Sequence, residues 1–451
     1  MSTRQFGERV KRNADPKLLK GEGRFTDDIP LAGALHAVFV RSPIARAKIL
    51  EIDVSEARAL PGVVAVYTCD DIGHLDQELP MLIPHDCMVD PRTARPLARD
   101  DVYYVGQPVV MIVAIDRYVA EDALQLVDID YDPMGVEMEI EEAVKDGAPL
   151  VHPNHPNNIA ADLKQVSGDP ETAMAEAEHV TRITVRVDRS TASPMEARTV
   201  AAQFDHVSGR LTIWDGTQAP LGVRGGIASL FGLDEDKVRV IAPNVGGGFG
   251  QKIMFPHSDE VLVPLAAMTL GRPVKFIEDR RENFIGSNQE RTQIHHMELF
   301  AKKTGEIIAL RDNFLHDTGA FIPYGIAVAQ VASTSIAGPY RIPNIEVTFQ
   351  AVYTPAVPVT PYRGCGRPHA CFAIERAVDQ LADDLGMDRM EVRRINLIGD
   401  DEFPYERDGL LFADGLKVVL DSGQYHKALA MVRAEIGWDG FAEKQKAAQA
   451  E

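Results

Sequence analysis

The sequence predicts a mixed α/β protein of the α+β class, built from two units. From Gly21 to about Asp132, segments with strand and helix patterns alternate, which is typical of a compact α/β unit. A stretch rich in Pro, Asn and His follows at residues 147–160 and marks the clearest boundary in the chain. After this boundary most segments read as strands, interrupted by a few long amphipathic helices. These observations predict a smaller unit followed by a larger one.

The predicted organisation has five parts. They are an arm at 1–20, the smaller unit at 21–132, a linker at 133–160, the larger unit at 161–440 and a frayed polar tail at 441–451. His152 and His155 stand three apart in the linker, where ordinary loop roles and metal binding are both open, with the Pro and Asn neighbours favouring a loop.

The elements of the smaller unit follow from their apolar patterns. Strands are predicted at ALHAVFVRS, KILEIDV, VVAVYT and QPVVMIVAID, a short helix at SEARALPGV, and a helix followed by a strand at RYVAEDALQLVDIDYD.

The elements of the larger unit are read in the same way. Strands are predicted at HVTRITVRVD, TVAAQFD, RLTIWDGTQAP, KVRVIAP, PVKFIED, QIHHMELFAK, IIALRDNFLHD and IEVTFQAVYT. Helices are predicted at LGVRGGIASLFGL, DEVLVPLAAMTLG, HACFAIERAVDQLADDLG and DRMEVRRINLI. The second of these helices is expected to be buried and to end at Gly271.

Composition narrows the functional classes. The 451 residues carry a net charge of −20, which argues against general nucleic-acid binding because that function needs a basic surface. No apolar run approaches the length of a membrane span, and the polar start lacks a secretory pattern. A cytoplasmic protein is therefore expected. The four cysteines lack the C-x₂-C spacing of a structural zinc site.

The strongest local motif is APNVGGGFGQK at residues 242–252. Glycines let the backbone adopt positive φ and leave N–H groups uncovered, so such a loop can bind an anion. A P-loop requires Ser or Thr after its lysine, whereas Ile253 follows Lys252 here. A dinucleotide fingerprint is also incomplete, because Gln251 stands where its last glycine belongs. A tight structural turn and an anion-binding nest both remain open.

A second motif, PYRGCGRPHACF at residues 361–372, leads into a predicted helix. Its two arginines and the helix N-terminus favour an anion, although a plain glycine-rich turn fits equally well. About 110 residues separate the two glycine loops, which can still converge in space.

Together with several shorter segments, these motifs resemble, in the same order, the molybdenum-cofactor subunit of the xanthine dehydrogenase, aldehyde oxidase and carbon monoxide dehydrogenase family. The matching segments are GEGRFTDDI, RSPIARAKI, VYYVGQPVVMIVA, SPMEART, TQAP, GGGFGQK, DTGAF, GPYRIPN and YRGCGRP. The resemblance covers roughly residues 20–430. It implies an a/b hammerhead-type domain followed by the first molybdenum-cofactor-binding domain.

The resemblance also implies roles for individual residues. The cofactor is molybdopterin, with the cytosine dinucleotide form as one alternative, and no side chain of this chain is expected to bind the metal. Expected cofactor contacts are Gly246, Gly247, Gly248, Phe249, Gly250, Arg363 and Gly364. Expected substrate-pocket residues are Ile253, Arg291 and Cys365. Ile253 stands where purine-oxidising members carry a glutamate, which makes a xanthine substrate doubtful.

Family subunits are nearly twice as long, and their general-base glutamate lies in the half that this sequence lacks. The implied protein is one half of a split subunit, as in nicotinate dehydrogenase, with truncation as the rival account. Its expected partners are the second-half molybdopterin subunit, a [2Fe–2S] subunit and an FAD subunit, and its reaction is hydroxylation of an electron-poor carbon with water as oxygen source. An N-heterocycle and an aldehyde are both open as substrates.

Two alternatives accompany this interpretation. One is a non-catalytic scaffold or assembly protein of the same fold, and the other is a carbon monoxide dehydrogenase-like enzyme. In carbon monoxide dehydrogenases a loop cysteine binds copper, but Gly364 occupies that place here and Cys365 follows one position later. Cys365 is therefore expected to be a small pocket residue rather than a copper ligand or half of a disulfide.

Overall fold

Each predicted strand forms, and the described residues contain four further strands that the sequence analysis did not predict. The computed structural model describes residues 8–253 and 256–450. Its strands are β1 (Leu35–Arg41), β2 (Ala47–Asp53), β3 (Val63–Tyr67), β4 (Asp101–Val102), β5 (Pro108–Ala114), β6 (Asp128–Pro133), β7 (Ile159–Ser167), β8 (His179–Val187), β9 (Thr199–Asp205), β10 (Arg210–Asp215), β11 (Val238–Ile241), β12 (Val274–Ile277), β13 (Gln293–Ala301), β14 (Ile307–Gly319), β15 (Asn344–Tyr353), β16 (Tyr405–Leu411) and β17 (Lys417–Leu420).

The helices occur before, between and after these strands in the chain. They are α1 (Asp15–Leu19), α2 (Ser55–Ala59), α3 (Arg117–Leu124), α4 (Ile140–Ala143), α5 (Pro170–Ala175), α6 (Pro220–Phe231), α7 (Ser258–Leu270), α8 (Arg280–Gly286), α9 (Ala327–Ser335), α10 (Arg367–Leu385), α11 (Arg389–Asn396), α12 (Tyr425–Glu435) and α13 (Phe441–Ala450). As predicted, α7 is largely buried and ends at Gly271, whose φ of +62° gives the left-handed helix end that glycine favours.

A seven-stranded sheet joins both parts of the chain, in the order β11-β10-β9-β12-β1-β5-β3. Strand β1 pairs in parallel with β12, so that Leu35 lies opposite Val274. All seven residues of β5 are buried because this strand has a core on each face. Met111 packs into the core shared with β9, β12 and α7, whereas Ile112 points to the core of the first unit. The two units are therefore continuous through one sheet.

A five-stranded sheet, in the order β7-β15-β14-β13-β8, forms the second layer. Helices α9 and α10 pack on it, and the largest apolar core of the described residues lies between them. Apolar positions three and four apart on α10 place one face of the helix in that core. A three-stranded sheet (β4-β2-β6) and the β16–β17 hairpin complete the fold.

The structure corrects the expectation for the chain's end. The predicted frayed tail is instead helix α13, which runs from Phe441 to Ala450 with no buried residue. Its Ala, Glu, Lys and Gln residues are strong helix formers, which explains a helix without core contacts. Part of the predicted N-terminal arm is the short helix α1, while residues 1–7 of that arm lie outside the described residues.

Candidate functional site

The glycine loop after β11 is fastened to the turn that contains Glu196. The Gly246 N–H donates to Glu196 Oε2 at 2.8 Å, and the Glu196 N–H donates back to the Gly246 carbonyl at 3.1 Å. A side chain at Gly246 would overlap the Glu196 Cβ, so only glycine permits this approach. The reciprocal pair fixes where the loop begins.

Two polar side chains hold the far end of the same loop. Lys252 is completely buried, and its Nζ donates to Glu196 Oε2 at 2.9 Å. Burial lowers the Lys252 pKa, while the Glu196 carboxylate acts in the opposite direction. The side-chain oxygen of Gln218 accepts a hydrogen bond from the Gly250 N–H at 2.8 Å, and the backbone N–H of Gln218 donates to the Lys252 carbonyl at 2.9 Å. The loop is thus tied down at both ends.

Between these ties the backbone turns through positive φ three times, at Gly247 (+99°), Phe249 (+54°) and Gly250 (+107°). For Phe249 this conformation is strained, and such strain persists where the surrounding contacts impose it. The N–H groups of Gly247, Gly248 and Phe249 have no acceptor among the described residues. The loop therefore presents unclaimed donors, as an anion-binding nest does.

The loop at residues 361–366 lies directly against the glycine loop. The Arg363 N–H donates to the Phe249 carbonyl at 2.8 Å, and a side chain at Gly250 would overlap the Pro361 carbonyl. Gly364 and Cys365 follow with φ of +103° and +56°. Two segments about 110 residues apart in sequence thus meet through backbone atoms.

A cavity of about 760 Å³ opens where the two loops meet. Much of its wall is apolar. The apolar side chains of the wall are Ile83, Phe249, Ile253, Ala327, Val331 and Phe412, and the polar and charged ones include Gln218, Tyr324, Gln330, Arg363, Cys365, Arg367 and Asp414. Phe249, Gly250, Arg363 and Gly364, for which the family resemblance implies cofactor contacts, border the same cavity as Ile253 and Cys365.

Four of the sequence-predicted residues, three glycines and one arginine, are absent from the cavity wall. Gly246, Gly247 and Gly248 are absent from the cavity wall, because the first half of the glycine loop packs toward Pro194 and Glu196.

Arg291 is also absent from this wall and lies behind the second loop. Its guanidinium donates to the carbonyl groups of Tyr362, Arg363 and Cys365. The backbone of Arg291 has a φ of +95°, which is unusual for a residue with a side chain.

Cys365 is a free thiol in the cavity wall. Burial raises its pKa to about 11, with the neighbouring Glu290 carboxyl acting in the same direction. The thiol therefore stays protonated at neutral pH, whereas nucleophiles and metal ligands require the thiolate. Its Sγ lies 3.9 Å from the Ala327 carbonyl. The chemistry of Cys365 is that of a small wall residue.

Sequence reasoning missed several wall residues. Ile83 comes from the first unit, and a side chain at Gly325 would overlap its carbonyl, so the two parts of the chain touch here. Tyr324 follows the DTGAF segment, which the resemblance does mark. Gln330 lies on α9, and Phe412 lies just after β16. Neither α9 nor the hairpin has a motif that signals a site.

The linker histidines are buried and bond to backbone carbonyl groups. His152 Nε2 lies 2.7 Å from the Ala320 carbonyl, and His155 Nε2 lies 2.8 Å from that of Val89. Burial lowers the His152 pKa to about 4. Within residues 8–253 and 256–450, no cluster of His, Cys, Asp or Glu side chains is suited to a metal ion, and no helix could span a membrane.

The two loops of the larger unit and the cavity between them form an arrangement suited to an anionic ligand. The family model for the molybdopterin cofactor-binding domain matches residues 151–397, and that for the aldehyde oxidase and xanthine dehydrogenase a/b hammerhead domain matches residues 20–134. The chain belongs to the aldehyde oxidase and xanthine dehydrogenase family of molybdopterin-binding proteins. The predicted fold class is thereby confirmed.

Individual relatives match nearly the whole chain. The nicotine 6-hydroxylase large subunit of Paenarthrobacter nicotinovorans is 34% identical over 450 residues, which are 98% of this chain and 53% of that protein. The crystal structure of quinoline 2-oxidoreductase from Pseudomonas putida 86 superposes with a TM-score of 0.90 at 32% identity, over 98% of this chain and 55% of that one. The chain thus spans about half the length of these relatives.

A third relative is closer in length. The nicotinate dehydrogenase large molybdopterin subunit of Eubacterium barkeri is 29% identical over 388 residues, which are 86% of this chain and 88% of that protein.

Proposed function

We propose that the chain is one half of the molybdopterin subunit of a multi-subunit molybdenum hydroxylase. Its complement would be a partner chain that carries the remainder of the length seen in the longer relatives. The near match in length to a subunit of nicotinate dehydrogenase supports this arrangement. The proposed reaction is oxidation of an electron-poor carbon with water as oxygen source, carried out in the cytoplasm.

The residues present suit molybdopterin. Phe249 and Gly364, whose N–H groups have no acceptor among the described residues, border the cavity from the two loops. The unclaimed N–H groups of Gly247 and Gly248 belong to the part of the glycine loop outside the cavity wall. The positively charged Arg363 also borders the cavity. These groups would hold molybdopterin, whose anionic tail is either a phosphate or a cytosine dinucleotide. Bound there, the group supplies the redox chemistry.

The substrate would be an uncharged, largely apolar molecule. The apolar wall formed by Ile253, Val331 and Phe412 favours a planar ring, because the ring would bury its apolar surface against these side chains. The neutral thiol of Cys365 leaves room in the wall without adding charge. An N-heterocycle fits best, and an aldehyde remains the second candidate.

The partner chain would bring the general-base glutamate, and further subunits would bring [2Fe–2S] clusters and FAD. Met195 precedes Glu196 in the sequence and Leu221 follows Gln218 by three positions, and these two residues are 92% and 74% exposed. Exposed apolar groups of this size next to a site are typical of contact surfaces. We assign them to the surface that receives the partner chain.

The single observation that carries this proposal is the meeting of two glycine loops at one cavity, which is bordered by Phe249 and Gly364 with their unclaimed N–H groups. The test is the molybdenum and pterin content of the complex purified with its partner subunits. Metal and pterin near one per chain are expected, together with ¹⁸O from labelled water in the oxidised product of an N-heterocycle. A stable complex without metal or pterin would contradict the proposal and favour a scaffold.

A matched pair of glycine variants sharpens this test. Gly250→Ala places a side chain on the Pro361 carbonyl at a φ of +107°, so the loops cannot keep their contact and cofactor content should fall about tenfold or more. Gly225→Ala, in helix α6, meets only Glu235 Oε1 at 3.6 Å and should retain full cofactor content. Equal content in the two variants would separate the glycine loop from cofactor binding.

A further inference from the structure

Glu290 lies behind the second loop with its side chain fully buried. Its Oε2 accepts the Tyr362 N–H at 3.0 Å, at the start of the loop that carries Arg363 and Gly364. Its Oε1 has no hydrogen-bond partner among the described residues. The main chain of Glu290 is fixed by a reciprocal pair of hydrogen bonds with Ser190. The carboxyl group is therefore a rigid anchor for the loop.

The Arg291 side chain forms hydrogen bonds along the same loop. Its guanidinium nitrogens donate to the carbonyl groups of Tyr362 at 3.0 Å, Arg363 at 2.8 Å and Cys365 at 3.2 Å. Its guanidinium carbon also lies 4.7 Å from the centre of the Tyr362 ring, a distance suited to a cation–π contact. The planar fork of arginine suits several carbonyl groups held at once, which the single ammonium of lysine cannot match.

The loop needs such support because its own backbone is strained. Gly364 and Cys365 are consecutive residues with positive φ, and for Cys365 this conformation is uncommon. Arg291 itself has positive φ. Strained residues therefore occur on both sides of this contact and persist because the surrounding bonds impose them.

His369, on the first turn of α10, closes the arrangement. Its Nε2 lies 4.0 Å from Glu290 Oε1, and neither atom has a hydrogen-bond partner among the residues described. Its Nδ1 lies 3.3 Å from the Gly366 carbonyl, at the end of the loop. With Nδ1–H donating to that carbonyl, Nε2 is an acceptor facing the carboxyl group. Both groups are buried, so both are favoured in their neutral forms.

We infer that Glu290 and Arg291 are positioning residues, which set the backbone of residues 362–365 and thereby aim the Gly364 N–H and Arg363 at the cofactor. This inference rests on the proposed function for the identity of that cofactor. It also reassigns Arg291: its guanidinium is committed to three loop carbonyl groups and does not line the substrate cavity.

The Arg291 test compares Arg291→Lys and Arg291→Met in the assembled complex. Amide hydrogen exchange across residues 362–366 should rise about tenfold or more in Arg291→Met, since three hydrogen bonds are lost, and less in Arg291→Lys. With any substrate that the complex oxidises, kcat should fall while KM changes less than about twofold. Arg182→Lys, which alters an exposed ion pair with Glu298, should change neither quantity.

A substrate-binding Arg291 gives a different result. KM would rise with little change in kcat, and exchange at residues 362–366 would match the unchanged protein; this outcome overturns the inference. Hydrogen exchange needs no cofactor, so a complex that lacks molybdenum would refute the proposed function while the loop measurement still decides the role of Arg291.

The Glu290 test compares a variant of the same shape, Glu290→Gln, with the truncated variant Glu290→Ala. Glu290→Gln keeps an oxygen acceptor for the Tyr362 N–H and should preserve the slow exchange at residues 362–366, whereas Glu290→Ala should lose it. Equal exchange in the two variants, whether fast or slow, would contradict a positioning role for this carboxyl group. The thermal midpoint of each variant shows whether any change is confined to the loop.

Discussion

At the scale of single residues, Glu290 makes stability depend on pH. Burial raises its pKa from 4.5 to about 8, against the opposing effects of Arg291 and the Tyr362 N–H. The folded chain therefore binds more protons than the unfolded chain between these two values, and stability falls as pH rises through this window. We predict that Glu290→Gln removes a slope of up to about 1.4 kcal/mol per pH unit. Urea unfolding at pH 5.5, 6.5 and 7.5 measures it.

The comparison needs a control, because other buried groups also titrate. Burial lowers the His369 pKa to about 3. The stability that the neutral His369 side chain contributes is therefore lost only as pH falls below 6.5, its ordinary pKa. Glu443→Gln, on the exposed helix α13, should reproduce the slope of the unchanged protein. If Glu290→Gln also kept the pH slope of the unchanged protein, the Glu290 carboxyl group would be ionised in the folded chain and the prediction would be wrong.

At the scale of elements, the β16–β17 hairpin forms part of the cavity wall through Phe412, which follows β16. Gly409 lets β16 lie against β7, since a side chain at this position would overlap the Val166 carbonyl. We predict that Gly409→Ala displaces the hairpin, lowers the thermal midpoint by several degrees and raises KM about tenfold through loss of the Phe412 contact. Thermal unfolding and steady-state kinetics measure the two effects.

The same hairpin supplies the control. Gly415 has a φ of +77° but no atom within 4 Å of an added side chain, so Gly415→Ala adds backbone strain without an overlap. It should lower the midpoint and leave KM unchanged. A KM that rises equally in both variants would assign the effect to hairpin strain rather than to the β7 contact.

Elements with a clear apolar period could be predicted from the sequence, and others could not. Strand β5 is predicted by its uniformly apolar content, and helix α10 is predicted by apolar residues three and four positions apart. Helix α9 reads AVAQVASTS, in which Val, Ser and Thr weaken the helix propensity of Ala and Gln, and its burial against the core beside α10 favours the helix. Helix α13 shows the reverse, since its propensity gives a helix with no core.

The site divides in a similar way. The glycine motifs identify both loops because unusual backbone conformations require glycine, and this requirement is visible in the sequence. The tie from Gln218 to Gly250 and the grip of Arg291 on the second loop are long-range contacts with no local pattern. Motifs therefore locate the cofactor loops, while the residues that hold them emerge only from the fold.

At the scale of the whole molecule, the two units share a core. The apolar cluster around the seven-stranded sheet contains Leu35 and Met111 from the first unit together with Val261 and Phe276 from the second. The cavity likewise takes Ile83 from the first unit. Residues 20–134 match a domain family, yet β1 depends on β12 for one of its two neighbours. The family domain and the cooperative folding unit therefore need not coincide.

We predict that residues 20–134, produced alone, do not fold cooperatively. Without β12 the edge of β1 is unpaired, and the apolar face carrying Leu35 and Met111 loses the residues that cover it. Calorimetry should show no unfolding transition for this fragment, whereas residues 8–450 should unfold in one transition that includes both units. A sharp, reversible transition of the isolated fragment would contradict the prediction and show that its second core, around Val110 and Ile112, suffices for folding.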